Sequence, residues 1–231
     1  MNYAIVLAGG KGKRMKSEIP KQFLEINGHP IIYYSIKAFQ DTLAIDRIIV
    51  VTLPEYQDFF NKLAKDNKFD KLYAIAFAGK ERYDSVYAGI CAIPESDFIN
   101  DNYCLIHDGA RPVIDMSLIN ECLADAKKYR ASVAAVPVKD TIKVADNNGF
   151  AIKTPDRRSL YQIQTPQTFE LSLVYKSYKK MYDLNKTEGV TDDAMVVAEF
   201  GKVNPYLTKS SYRNIKVTTP EDLEILKRFL K

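Results

Sequence analysis

The sequence predicts an α/β fold in which a mostly parallel sheet is flanked by helices. Two observations predict it. Short apolar runs alternate with longer segments of helical period, and the apolar runs are almost uninterrupted, as in strands buried on both faces. A chain of 231 residues can bury a substantial core. We therefore expect one domain over residues 1–231, with a Rossmann-like arrangement of strands and helices.

The first part of the chain supplies most of the regular elements. The predicted strands are "YAIVLA", "RIIVVT", "LYAIAFA", "YCLIHD" and "SVAAVPV". The predicted helices lie between them and are "IIYYSIKAFQ", "EYQDFFNKLAKD", "RYDSVYAGICAI" and "MSLINECLADAKKY". Open sheets of this kind bind ligands beyond the carboxyl ends of their strands, so we expect the functional site there.

A hairpin arm is predicted at about residues 139–160, where the pattern changes. Two short alternating segments flank Asn147, Asn148 and Gly149. Asn-Gly favours a hairpin turn because it tolerates positive φ at both central positions. A hairpin that leaves a parallel domain has unpaired edges, and a second subunit could cover them.

The C-terminal part returns through "LYQIQTPQTF" and continues with two predicted helices at about residues 171–183 and 192–200, followed by the run "NIKVT". The last helix has a clear start. Thr219 is a suitable N-cap, Pro220 fits the first turn, and Glu221 and Asp222 complement the helix dipole.

Composition limits the classes of partner. Lys and Arg number 33 against 29 Asp and Glu, and the net charge of +4 is spread along the chain, which favours a small anionic ligand over nucleic acid. The cysteines Cys91, Cys104 and Cys122 lack the spacing of a zinc site or a disulfide framework. We find neither a signal peptide nor an apolar run of about 20 residues, and we expect a cytoplasmic protein without a membrane partner.

The stretch "LAGGKGKRM" follows the first strand and is typical of a phosphate-binding loop. Gly9, Gly10 and Gly12 allow positive φ angles and a close approach of backbone N–H groups, beside a cluster of basic residues that includes Arg14. A Walker P-loop needs a second glycine five residues after its first, but Arg14 stands five residues after Gly9 and Met15 five after Gly10. Met15 also replaces the third glycine of a dinucleotide fingerprint. A polyphosphate loop of another class is therefore predicted.

Further motifs carry a specific resemblance. "LAGGKGKRM" and "PKQFLEINGHPII" are followed in order by "HDGARP", "VPVKDTIK", "DRRSLYQIQTPQTF", "GVTDDA" and "NIKVTTPEDL". Over almost its whole length the chain resembles the 2-C-methyl-D-erythritol 4-phosphate cytidylyltransferases of non-mevalonate isoprenoid synthesis. Two alternatives remain open. One is a cytidylyltransferase for ribitol 5-phosphate or another polyol phosphate, and the other is a CTP-binding homologue without activity.

The resemblance implies attack of a substrate phosphate oxygen on the α-phosphorus of CTP, with release of pyrophosphate. It implies that Arg14 and Lys21 contact the triphosphate, that the Gly9–Gly12 backbone cradles it, and that Lys216 lies near the α-phosphate. Without that resemblance, Lys216 could be a charge at a strand edge. A phosphate monoester is largely dianionic at neutral pH, so we expect no general base.

The position of Asp108 at a strand end predicts the metal site, and the resemblance implies the base pocket. Asp108, at the end of the strand "YCLIHD", would hold Mg²⁺ together with substrate phosphates or bind a sugar hydroxyl, and Arg111 would hold that loop or help to bind substrate. The backbone at Leu7 and Ala8, with Gly79 and Ser85, would form the cytosine pocket. Lys80, Tyr83 and Ser210 depart from the family pattern.

The acceptor site is implied to be shared between two subunits of a homodimer. In the family the hairpin arm crosses to the partner, so Thr141 and Arg157 of one chain would complete the pocket of the other. Thr191 would come from the chain that binds the nucleotide. Of the adjacent pair Arg157 and Arg158, the motif favours Arg157 as the phosphate ligand.

Overall fold

A seven-stranded sheet lies at the centre of the molecule. The structure is a computed structural model and describes residues 1–10, 20–99 and 101–230. Within these ranges the strands are β1 (Asn2–Leu7), β2 (Glu25–Ile26), β3 (His29–Pro30), β4 (Arg47–Thr52), β5 (Leu72–Phe77), β6 (Tyr103–Asp108), β7 (Ala131–Pro137), β8 (Val144–Ala145), β9 (Ala151–Lys153), β10 (Tyr161–Glu170) and β11 (Tyr206–Lys209).

The central sheet has the order β11-β7-β10-β6-β1-β4-β5. β10 runs antiparallel to both of its neighbours, β6 and β7, and every other pair in the sheet is parallel. The mostly parallel sheet and its five predicted strands are thus confirmed. β11 is an additional strand, in a segment for which the sequence predicts no regular structure.

Helices cover both faces of the sheet. They are α1 (Ile31–Asp41), α2 (Gln57–Asn67), α3 (Arg82–Cys91), α4 (Met116–Tyr129), α5 (Leu171–Asp183), α6 (Asp193–Gly201) and α7 (Pro220–Phe229). Successive strand residues point to opposite faces. Ala4 and Val6 of β1 accordingly pack with α1, α2 and α4, whereas Tyr3 and Ile5 pack with α3, α5 and α6.

The start of the last helix is as predicted. Thr219 and Asp222 form a capping box, in which each side chain accepts a hydrogen bond from the backbone of the other end of the turn. Leu226 then packs with Ile26, Ile31 and Val217 in a third, small apolar cluster. α7 therefore closes over the segment that follows β11, which contributes to the site described below.

The predicted hairpin is present as the two-stranded sheet of β8 and β9. Its turn differs from the expected one. Gly149 has φ +88°, but Asn148 is not among the described residues with positive φ. The Asp146 carboxylate accepts hydrogen bonds from the backbone N–H of Asn148 and of Phe150 at 3.0 and 2.9 Å. An aspartate-stabilised turn with one left-handed glycine therefore replaces the two-residue turn.

Most of residues 139–160 are exposed to solvent, and several of them are large and apolar. Phe150 is 71% exposed and Ile152 65% exposed. The described helices include none that is long and apolar enough to cross a membrane.

Candidate active site

A pocket of about 250 Å³ opens at the carboxyl ends of β1, β5 and β6. Strand order reverses here, because β1 has β4 on one side and β6 on the other. Open α/β sheets bind ligands at such a switch point, and the pocket lies where the sequence predicts the site. The described residues that line it are Leu7, Ala8, Gly9, Gly10, Lys21, Gln22, Gly79, Lys80, Glu81, Arg82, Ser85, Asp108, Ala110 and Lys216.

Close packing explains the glycines of the pocket. Gly9 and Gly10 are not among the residues with positive φ, so the expectation of positive φ is wrong for both. A Cβ on Gly9 would lie 2.3 Å from the Cβ of Ala78, which no real pair of atoms tolerates. Gly9 is thus needed because the loops after β1 and β5 touch. Gly12 and Arg14, predicted in the same loop, lie outside the described residues.

Gln22 holds the described part of this loop in place. It is buried, and its Nε2 donates to the carbonyl oxygens of Ala8 at 2.6 Å and Gly10 at 3.0 Å. Gln22 is not predicted from the sequence. Its only local signal is a polar residue between Lys21 and Phe23, and the sequence does not show which backbone groups it would reach.

Part of the backbone of Leu7 and Ala8 is already hydrogen-bonded to other residues of the chain. The Ala8 N–H donates to Val51 O at 2.7 Å, and Leu7 O accepts from Gly109 N at 2.9 Å. The N–H of Ala8 is therefore committed to the sheet. The carbonyl oxygens of both residues keep a role as acceptors, because a carbonyl oxygen has two lone pairs.

Ser85 and Gly79 form a local support for the pocket wall. The Ser85 hydroxyl accepts from Gly79 N at 3.2 Å and donates to Glu81 O at 3.1 Å. Ser85 is buried, and its hydroxyl fixes the loop between β5 and α3. This geometry gives Ser85 a supporting contact in addition to its place in the pocket lining.

Asp108 is surrounded by cations. Lys216 Nζ lies 2.7 Å from its Oδ2, Arg82 Nε 3.4 Å from its Oδ1, and Arg111 Nε 4.0 Å from its Oδ2. Burial alone would raise the pKa of Asp108, but these three charges outweigh it and hold the pKa well below its usual range. The carboxylate is therefore ionised at neutral pH.

Mg²⁺ fits this site only when substrate supplies most of its ligands. Within the described ranges no group of three or more His, Cys, Asp or Glu is placed to hold a metal. Glu81, the other acidic residue of the lining, caps α3 through its side chain. Asp108 is thus the carboxylate that would hold the ion, with phosphate oxygens and water completing the oxygen ligands that Mg²⁺ prefers.

An extended segment carries Lys216 to the pocket. Residues 214–218 are not a strand, so the alternative of a strand-edge charge is wrong for Lys216. Val217 N donates to Ala110 O at 2.8 Å, and Lys21 Nζ donates to Val217 O at 2.7 Å. Arg111 donates to Asn214 O at 2.8 Å. These contacts bring both predicted catalytic lysines to one pocket and make Arg111 a residue that holds this segment.

A buried network of polar side chains holds the segment of residues 214–218 in place. Asn214 Nδ2 donates to Gln164 Oε1 at 3.0 Å and to Thr165 O at 2.9 Å. Ser210, where a glycine is expected, donates to the same Gln164 oxygen at 2.7 Å. The departure at Ser210 therefore adds a hydrogen bond to the network.

His107 belongs to the same network and is neutral. Its Nε2 lies 3.0 Å from Arg111 O, which can only accept, so Nε2 carries the proton. Its Nδ1 then accepts from the Thr165 hydroxyl at 3.0 Å, and that hydroxyl accepts from Asp108 N at 3.1 Å. Burial lowers the pKa of His107 to about 4. Both ring nitrogens are engaged, so His107 fixes the ends of the loop from Asp108 to Arg111.

Three predicted acceptor residues lie outside the pocket lining of this chain. Thr141 and Arg157 are exposed on the arm, where Arg157 donates to Lys139 O at 2.8 Å. Arg158 is paired with Asp156 at 2.7 Å and is 89% exposed. Thr191 is exposed and lies two residues before α6.

Comparison with known proteins identifies the family. The family model described as IspD, 2-C-methyl-D-erythritol 4-phosphate cytidylyltransferase, matches residues 2–231. A protein of that name from Lachnospira eligens is 52% identical over 231 residues, which is 100% of both chains. Another from Clostridium perfringens is 44% identical over 229 residues, 99% of this chain and 98% of the relative. The chain belongs to the IspD family.

Solved structures of IspD proteins have the same fold. The 4-diphosphocytidyl-2C-methyl-D-erythritol synthase of Anaerococcus prevotii matches with a TM-score of 0.84 at 28% identity, over 99% of this chain and 95% of that one. The IspD of Francisella tularensis matches with a TM-score of 0.82 at 31% identity, over 99% of both chains. As an IspD family member the chain is a cytidylyltransferase, and the resemblance seen in the sequence is confirmed.

Proposed function

We propose that the protein transfers the cytidylyl group of CTP to 2-C-methyl-D-erythritol 4-phosphate. An acceptor phosphate oxygen forms the new bond to the α-phosphorus, and the bond from that phosphorus to the bridging oxygen breaks to release pyrophosphate. The observation that carries the proposal is the convergence of Lys21, Lys216 and Asp108 on one pocket at the strand ends, in a chain of the IspD family.

The main task of this site is to stabilise negative charge. Two anions must meet, and negative charge increases on the α-phosphoryl oxygens in the transition state. Lys21 and Lys216 would balance this charge, and we propose that Arg14 contributes to the same task. Mg²⁺, held by Asp108 and the phosphates, would neutralise further phosphate charge when bound.

The proposed reaction needs no general base from the protein. The acceptor phosphate has a second pKa near ~6 and is largely dianionic at neutral pH. His107, the histidine next to the pocket, is buried and uses both ring nitrogens in structural hydrogen bonds. Its role in the proposal is to position Asp108.

Selection of cytosine is supported by the acceptors at the end of β1. The N–H of Ala8 is occupied, so Leu7 and Ala8 offer carbonyl oxygens to a base. The exocyclic amino group of cytosine is a donor, whereas uracil has an acceptor oxygen in that place. Two acceptors at this wall would therefore favour CTP over UTP.

The acceptor pocket is proposed to form between two subunits. The exposed apolar residues of the arm support this, because a partner would remove them from water. Thr141 and Arg157 would then reach the partner's pocket, and Thr191 would act within its own chain. A cytoplasmic location is part of the proposal, supported by three unpaired cysteines.

The deciding experiment measures pyrophosphate release with CTP and Mg²⁺. 2-C-methyl-D-erythritol 4-phosphate and D-ribitol 5-phosphate are compared as acceptors, and we expect turnover with the first. Turnover with ribitol 5-phosphate alone would contradict the proposed acceptor, and CTP binding without turnover on either would indicate a protein without activity.

Lys21→Ala tests the mechanism in the same assay. We expect pyrophosphate release to fall by about 10²–10³-fold, because a charge aimed at the transition state is lost. Lys71→Ala is the matched control, since Lys71 also donates to a backbone carbonyl, Thr42 O at 2.7 Å, but does not line the pocket. An active Lys21→Ala protein would contradict the mechanism.

A further inference from the structure

Arg82 occupies a position that helix stability does not explain. It is the first residue of α3, where a positive charge opposes the helix dipole. The start of this helix is already satisfied by the capping box of Glu81 and Asp84. The reason for a cation at this position must therefore lie outside the helix.

The contacts of Arg82 extend in two directions. Its guanidinium forms a fork with Asp193, with NH1 to Oδ1 at 2.9 Å and NH2 to Oδ2 at 2.8 Å. Its Nε points to Asp108 Oδ1 at 3.4 Å. Burial alone would lower the pKa of Arg82, but Asp193 and Asp108 raise it well above its usual value. Arg82 is thus a permanent cation between two carboxylates.

Asp193 has a fixed place at the start of α6. Its side chain is fully buried and also accepts from the Tyr178 hydroxyl at 2.5 Å. Gln167 of β10 bonds to Asp192 Oδ2 at 3.0 Å and to Ala194 N at 2.9 Å. The segment that begins at Thr191 is therefore anchored to the sheet by Gln167 and to the pocket by Arg82.

We infer that Arg82 is a positioning residue that sets the acceptor-binding segment at Thr191 against Asp108 in the nucleotide pocket. The inference rests on the proposed function, in which Thr191 contacts the acceptor and Asp108 holds the metal. A bidentate fork fixes both distance and angle, which a single ammonium cannot do. Reactions that depend on alignment lose rate steeply when one partner is displaced by about 1 Å.

The test uses Arg82→Lys and Asp193→Asn, which keep size and remove the fork. We expect the KM for the acceptor to rise and kcat to fall, with kcat/KM for the acceptor reduced about 10- to 100-fold. CTP affinity of Asp193→Asn, measured by calorimetry without acceptor, should stay within about threefold of wild type, because Asp193 does not line the pocket. Tyr178→Phe is the control, because it removes a hydrogen bond to Asp193 that comes from a residue outside the pocket lining. It should lower the melting temperature and leave the acceptor KM unchanged.

Two results would overturn the inference. If Arg82→Lys weakens CTP binding as much as it lowers kcat/KM, Arg82 is a nucleotide ligand. If Tyr178→Phe raises the acceptor KM as much as Asp193→Asn does, the cluster has only a structural role. Failure of the proposed function is visible in wild-type protein, as absence of pyrophosphate release with 2-C-methyl-D-erythritol 4-phosphate, and would remove the inference with it.

Discussion

Positive charge exceeds negative charge among the described residues that line the pocket. The cationic ones are Lys21, Lys80, Arg82 and Lys216, and the acidic ones are Glu81 and Asp108. This excess of positive charge in a concave site attracts polyanions and raises their local concentration. Lys216 is 37% exposed and paired with Asp108. The pair keeps Lys216 at the pocket, where the proposed mechanism requires it.

Gln22 is the residue whose replacement should most directly affect nucleotide binding without removing a charge. Gln22→Met keeps the volume and removes the hydrogen bonds to Ala8 O and Gly10 O. At about 1 kcal/mol for each bond, we expect CTP affinity to fall about 10- to 30-fold. Calorimetric titration with CTP measures this.

Gln40→Met is the matched control for Gln22. Gln40 also bonds to the backbone, through Lys71 N at 3.0 Å, but it does not line the pocket. Equal CTP affinity in Gln22→Met and wild-type protein would show that the loop holds its shape without Gln22.

His107 makes stability depend on pH. Its pKa is about 4 in the folded protein against an ordinary value of 6.5, so the unfolded chain binds the proton first as pH falls. Stability is therefore lost between these two values, by about 2 kcal/mol from pH 7 to pH 5. Urea unfolding at the two pH values, with chelator present, measures the loss. His107→Asn should show a smaller loss over the same interval, and an unchanged loss would assign the effect to other groups.

At the scale of elements, the segment of residues 214–218 shows how an irregular stretch is kept in place. The segment forms neither a strand nor a helix, and Asn214 anchors it through two buried hydrogen bonds. Asn214→Ala should lower the free energy of unfolding by about 2 kcal/mol, because buried acceptors lose their donor. It should also lower kcat, since Lys216 follows two residues later.

Urea unfolding and the pyrophosphate assay test Asn214→Ala together. Asn67→Ala is the control, because Asn67 donates to Leu63 O at 2.9 Å on α2, outside the pocket lining. A stable Asn214→Ala protein with wild-type kcat would show that Lys216 does not depend on this anchor.

Elements were predictable where burial on both faces leaves an apolar run. "RIIVVT" and "YCLIHD" are of this kind, and both form central strands. β10 has buried polar residues such as Gln164 and Gln167, and its direction depends on partners far along the chain. The sequence indicates the stretch "LYQIQTPQTF", but neither its antiparallel direction nor its place between β6 and β7.

The functional site, too, could be predicted only in part from the sequence. Residues in recognisable motifs, such as Lys21 and Asp108, were predicted from sequence. Arg82 and Asn214 were missed because their roles arise from contacts between distant parts of the chain, 111 residues apart for Arg82 and Asp193 and 50 for Asn214 and Gln164. Gln22 was missed because it contacts backbone carbonyl groups, which any residue type supplies. No local pattern records such a contact.

At the scale of the whole molecule, the proposal that two subunits share each active site predicts complementation between inactive subunits. Lys21→Ala disables the nucleotide side and Arg157→Ala the arm. In a mixed dimer one pocket has both defects and the other has neither, so a random mixture should regain about a quarter of wild-type activity. Co-expression of the two variants with different tags, followed by the pyrophosphate assay, measures this.

Two controls accompany the complementation. Each variant alone gives the background, and Phe150→Asp, at a residue 71% exposed on the arm, should prevent both dimer formation and recovery. Activity no greater than that of the parent variants would place Arg157 in the pocket of its own chain or outside the site.

The position of β10 in the sheet also affects how the chain folds during its synthesis on the ribosome. β7 (residues 131–137) has β10 and β11 as its sheet neighbours, and both are translated after it. Until residues 161–170 leave the exit tunnel, β6 is an open edge and β7 has no strand beside it in the sheet. A nascent chain released at residue 160 would therefore expose two apolar strands, and we expect it to be a substrate for chaperones and proteases, with no activity as a shorter enzyme.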